Sequence, residues 1–102
     1  MRQIFDGKYQ GETVVLTFDF TSALAASETI SSATVSAVTY SGTDASPSTI
    51  INGAAVISGQ TVKQSVTGGV EGVMYNLTCS VETSAGQVVQ IQGYLAVVPA
   101  TL

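Results

Sequence analysis

A chain of 102 residues, 10% of them charged and with a net charge of −4, has room for one modest core and is expected to form a single domain. Its three bases, Arg2, Lys8 and Lys63, are too few and too dispersed to neutralise a phosphate backbone, which argues against direct nucleic-acid binding. No apolar run approaches the ~20 residues that cross a bilayer, which argues against a membrane span.

Residues 1–12 are weakly patterned. Ile4, Phe5 and Tyr9 are separated by Asp6, Gly7 and Gln10, and the segment reads as an edge strand or an extended arm. The start carries no apolar h-region of a secretory signal, so either the chain is made and kept in a cytoplasm, which a natural Met1 favours, or the numbering begins after a removed leader. Thr13 to Phe20 alternates cleanly, with Val14, Leu16, Phe18 and Phe20 on one face, and predicts a core strand. Thr21 to Glu28 is Ala-rich and suits one helical turn packed by Leu24, being too short for an independent helix. From Thr29 to Tyr40 the alternation changes phase between Ile30 and Ala33, which predicts a β-bulge or a strand that switches sheets.

Ser41 to Ser48 reads as a loop, and Thr49–Asn52 and Ala54–Ser58 as short strands split by a tight turn at Asn52-Gly53. Thr61 to Thr67 predicts a strand with Val62 and Val66 inward. Gly68, Gly69 and Gly72 bracket the next loop. The final third has the clearest pattern: Val73, Tyr75, Leu77, Cys79 and Val81 alternate with polar residues, then Ser84-Ala85-Gly86-Gln87 turns into Val89, Ile91, Gly93, Leu95 and Val97. Two such runs around a Gly-containing turn predict an antiparallel hairpin.

Val, Ile and Thr supply 33 positions, side chains that lose rotamer freedom in helices and pack well on a pleated surface, so the class is all-β. About seven strands with turn signals every ~8–12 residues suit an antiparallel β-sandwich over residues 13–98, with 1–12 as an N-terminal arm or edge strand and 99–102 as a tail. Charged residues fall well below the ~25% of ordinary soluble domains, while Ser and Thr occupy 25 positions. A surface with so little charge repulsion between copies suits a subunit covered by its neighbours.

No constellation carries catalysis. There is no histidine, the carboxylates are scattered without the ligand spacing of a calcium loop, and the glycines match neither a phosphate loop nor a dinucleotide fingerprint. Cys79, alone and in phase with Leu77 and Val81, reads as a buried small hydrophobe without an activating base. Catalytic, metal and cofactor residues are therefore expected to be absent, and the chain is not expected to be an enzyme.

The stretch Glu71-Gly72-Val73-Met74-Tyr75-Asn76-Leu77 resembles the entry to the penultimate strand of immunoglobulin-like domains, where a Tyr buries its ring and sends its hydroxyl back to a loop carbonyl. Leu77 stands where antibody domains carry a cysteine. Two longer segments, Phe18-Asp19-Phe20-Thr21-Ser22-Ala23-Leu24 running into Glu28-Thr29-Ile30-Ser31-Ser32-Ala33, and Tyr75-Asn76-Leu77-Thr78-Cys79 running into Thr83-Ser84-Ala85-Gly86, are similar to small immunoglobulin-like virion proteins of tailed phages, the fibre–tail adaptor-like family. The likeness spans Val14 to Val98; an aromatic, often Trp, expected in the first segment is absent.

That resemblance implies an immunoglobulin-like sandwich and a non-enzymatic, multi-copy structural protein. It would be made in the host bacterial cytoplasm, incorporated into the virion, and would join tail or collar to fibres or other virion proteins. The interface candidates are Ile4, Phe5 and Tyr9 in the N-terminal segment and Pro99 and Leu102 in the tail, with loop 41–48 as a third place, since assembly proteins often use arms and strand edges. Three other readings are a capsid decoration protein, a carbohydrate-binding or adhesive module using Tyr9, Tyr40 or Tyr94, and a small enzyme, since strands can bring distant carboxylates together.

Overall fold

The computed structural model describes residues 2–98, as two β-sheets packed face to face. The larger sheet has the order β1 (Arg2–Ile4), β8 (Val88–Val98), β7 (Met74–Thr83), β4 (Ile30–Ser41), and β2 (Lys8–Tyr9) also pairs with β8. The smaller has the order β3 (Thr13–Asp19), β6 (Thr61–Thr67), β5 (Val56–Ser58). The protein is thus an all-β sandwich, with no α-helix among the described residues.

The hairpin β7–β8 forms its spine. Register runs without interruption from Met74 opposite Ala96 to Glu82 opposite Val88, and the turn closes with Thr83 N–H donating to Gln87 O at 2.9 Å. Because side chains alternate, the odd-numbered residues Tyr75, Leu77, Cys79, Val81, Ile91, Leu95 and Val97 all face inward and are buried. They meet Leu16 and Phe18 of β3 and Val62 and Val66 of β6, and these residues form one core. Phe20, Leu24 and Ile30 extend it, and Leu24 reaches it through a single turn in which its N–H donates to Phe20 O at 3.1 Å.

β4 stays in one sheet along its whole length. Its phase change is absorbed as a register irregularity between Ile30 and Ser32, with a second between Thr39 and Ser41. Thr49–Asn52 is a correction. Instead of a strand, Pro47–Ile50 forms a 3-10 turn, and Ile51 alone bridges to Val66. Pro47 lacks an N–H for a ladder and fixes φ in a turn-compatible range, while Thr49 Oγ1 donates to Ser46 O at 2.8 Å. Burying Ile50 in the core outweighs the weak strand propensity of this short run.

The N-terminal segment joins β8 in parallel: Arg2–Ile4 lie opposite Gln92–Tyr94, and Lys8–Tyr9 opposite Val97–Val98. Between these two short strands Phe5 turns inward, its N–H donating to Tyr94 O at 2.9 Å and its ring meeting Phe18 edge-on at 5.2 Å. The ring occupies the place where a side chain at position 93 would stand: a Cβ on Gly93 would collide with Phe5.

Candidate functional site

The outer face of the larger sheet is where exposed apolar side chains collect. Ile4 lies in register with Tyr94, Tyr94 with Asn76, and Asn76 with Val38, so one row crosses four strands. Ile4 is 86% exposed and Tyr40 61%. The rings of Tyr40 and Tyr94 touch edge-on, with centroids 4.9 Å apart and planes at 62°. With Met74 and Ile4 they line a shallow recess of about 150 Å³. Within this row the Asn76 side-chain oxygen is buried without a hydrogen-bond partner, a polar acceptor held in an apolar setting.

Of the residues singled out above, Ile4 and Tyr9 lie on this face, and Tyr9 is half-exposed beside Val98. Phe5 points the other way, into the core. Pro99 and Leu102 lie outside the described residues. Met74, Val38 and Asn76 were not singled out, although each falls on the outward phase of its strand; their contribution depends on strand order, which alternation alone does not supply. A second depression of about 460 Å³ runs between Ile4–Lys8 and Val14–Thr17 on the flank of the sandwich.

One end of the sandwich is held by polar side chains. The Tyr75 ring is buried, and its hydroxyl accepts the Val70 N–H at 2.8 Å and donates to Asp44 Oδ2 at 2.6 Å. The hydroxyl does go back to a loop, as the motif predicts, but to a carboxylate rather than a carbonyl. Burial and this bond to Asp44 raise the Tyr75 pKa. The same bond, with the Ser46 N–H on Asp44 Oδ1, holds the Asp44 carboxyl below its ordinary value. The loop 41–48 is therefore anchored to β7. Gly69 has φ +95°, and a Cβ there would stand 2.7 Å from Val97 Cγ2 and 3.4 Å from the Tyr75 ring, so the loop approaches this closely only as glycine.

Beside it Lys8 is buried, its Nζ donating to Gly68 O at 2.6 Å, Tyr9 O at 2.7 Å and Gln10 O at 3.4 Å. Burial lowers its pKa, and the Glu12 carboxylate opposes this. Gln10 adds a bond to Gly69 O at 2.9 Å. Lys8 thus closes a loop end rather than offering a free charge.

An exposed apolar face with two touching tyrosine rings is a surface suited to recognition. Among the described residues no group of three or more His, Cys, Asp or Glu could hold a metal ion, and no helix is long and apolar enough to cross a membrane. Several carboxylates are spent on local backbone: Glu12 accepts the Tyr9 N–H, Asp19 the Thr21 N–H and Glu28 the Ala25 N–H. Cys79 is fully buried between Leu77 and Val81, and burial pushes its thiol pKa up to about 12, so it stays a neutral thiol near pH 7.

Among protein families, the model described as podophage GP4 fiber-tail adaptor protein gp77 matches residues 8–95. Comparison with curated proteins finds no match.

Proposed function

Because the chain belongs to the podophage GP4 fiber-tail adaptor family, a family of phage structural proteins of the virion, we propose that it is a non-enzymatic subunit present in several copies per particle, joining the tail or collar to fibres or neighbouring virion proteins. The observation that carries this reading is the matched family over residues 8–95 combined with an exposed apolar face on a chain of very low charge. Ile4, Tyr9, Tyr40, Met74 and Tyr94 are the residues we assign to docking. Apolar and aromatic side chains surrounded by polar ones are the usual anchors of a protein contact. The strand orders β4-β7-β8 and β3-β6-β5, with Tyr75 at the start of β7, support an immunoglobulin-like arrangement, and residues 13–98 as its body. Synthesis in the host cytoplasm before assembly belongs to the same reading.

Quantitative mass spectrometry of purified virions tests it. The expected result is the chain at a fixed, multi-copy stoichiometry with tail and fibre proteins, lost when Tyr40→Ala and Tyr94→Ala are combined. Its absence from intact particles, or its appearance at capsid copy number, would refute the adaptor role, the latter in favour of a decoration protein. The Tyr40–Tyr94 pair also suits an adhesive module; glycan-array binding abolished by Tyr40→Ala would favour that alternative.

A further inference from the structure

The sandwich has four sheet edges, and they are treated differently. The β8 edge is taken by β1 and β2. β3 faces the Ile4–Lys8 segment across the flank depression. The β5 edge is three residues long. β4 is twelve residues long, and among the described residues no strand pairs with its outer edge.

Proteins ordinarily blunt such an edge with lysine, proline or inward charges. Ile30–Ser41 has none of these: its sequence is Ile-Ser-Ser-Ala-Thr-Val-Ser-Ala-Val-Thr-Tyr-Ser, without charge, proline or glycine. Its register irregularities sit near the two ends and leave Ser32 to Thr39 regular.

The ladder identifies which backbone groups are open. Thr83 bonds to Gln87, so the odd residues of β7 bond β8 and its even residues bond β4. Glu82, Ser80, Thr78 and Asn76 thus bond Ser32, Thr34, Ser36 and Val38. The N–H and C=O groups of Ala33, Val35 and Ala37 consequently point to the free edge.

We infer that this edge pairs with β4 of a second copy, antiparallel about a two-fold axis at Val35. This deepens the multi-copy reading above and rests on it. Opposing Ala33 to Ala37 and Val35 to itself would form about six backbone bonds and use up the edge in both copies, giving a closed pair instead of a fibre. Three observations favour a second copy as the occupant. On a chain of net charge −4, this strand is a long segment on which two copies meet without like charges. Inward-facing Ala33 and Val35 pack against the core but are only partly buried, while Ile30 and Ala37 of the same strand and the neighbours on β7 are buried, so the middle of β4 is less fully covered than its ends. The Pro47–Ile50 turn and β5 both pack against β4, and Val56 and Ile57 of β5 are exposed.

Sedimentation of the full chain with residue-resolved amide exchange tests this. The expected result is a dimer in which the Ala33, Val35 and Ala37 amides exchange slowly, and at least about tenfold faster once dilution dissociates it. Thr34→Lys with Ser36→Lys places lysines opposite one another across the axis and should weaken the dimer by about tenfold or more, whereas Gln90→Lys on β8 leaves it intact. A dimer indifferent to the paired lysines overturns the proposal. So does a monomer at all concentrations with fast exchange at these amides, or slowing seen only with tail or fibre proteins added. If the lysine variant misfolds, the exchange of the unaltered chain decides alone. Particle composition separates the two readings: monomers incorporated into virions refute β4 self-pairing and leave the adaptor role standing, while dimers absent from virions do the reverse.

Discussion

The two edges of the larger sheet are opposites. At β8 the edge is sealed by two parallel strands, by Phe5 packed over Gly93 and by Lys8 bonded into the Gly68 loop. At β4 the edge is long and uncharged, and among the described residues no strand pairs with it. The two margins are therefore not protected alike. One margin is protected by a distant part of the chain and the other is unpaired among the described residues, which is the asymmetry that suits a subunit meeting another protein from one side.

The largest expected effect breaks the sealed edge. Phe5→Ala empties the space above Gly93 and should cost about 3 kcal/mol in denaturant unfolding, with loss of protection at the Phe5 amide. If stability is unchanged, Phe5 is not the plug. Gly93→Ala, which drives a Cβ into the Phe5 ring, should cost about 1–3 kcal/mol alone. In the Phe5→Ala background it should be nearly neutral, and a double-mutant cycle measures that coupling.

Tyr75→Phe should cost about 1–2 kcal/mol, because it strips the Val70 N–H and the Asp44 carboxylate of a common partner. It also sharpens a pH argument. Folding lowers the Asp44 pKa, so the stabilisation is fully present above the ordinary carboxylate value of ~4 and is lost as pH falls through the lower folded value. Acid titration of stability should therefore be steeper in the unaltered chain than in Asp44→Asn; identical slopes would remove Asp44 from the account. At the β4 edge the effects on folding are smallest. Thr34→Lys and Ser36→Lys, both on exposed positions, should each change monomer stability by no more than about 0.5 kcal/mol. Native Cys79 should resist thiol reagents until the protein unfolds, and rapid labelling of folded protein would contradict its burial.

Much of the fold could be read directly. The alternation from Val73 to Val97 names the buried residues of β7 and β8 because a strand points every second side chain the same way. Tyr75 was recognisable as a buried ring with a tethered hydroxyl, although the tether, Asp44, lies 31 residues away in sequence and only packing brings it there. The apolar pair Ile50-Ile51 misleads, since two adjacent apolar residues have no period that distinguishes a strand from a turn. Of the exposed apolar face, Ile4 and Tyr9 were visible as apolar residues in a weakly patterned segment. The row from Ile4 through Tyr94 to Val38 was not, because its members come from four strands.

The amino-acid order by itself determined what is local: an all-β chain, the hairpin near its C-terminus, the buried cysteine and the scarcity of charge. These follow from period-two patterning and composition, which act between near neighbours. Only the tertiary structure decided that the N-terminal segment adds in parallel to β8, that Phe5 fills the gap left by a glycine 88 residues away in sequence, and that β4 is left at a margin. Strand order is set by which surfaces meet after long loops close, and no local period encodes it.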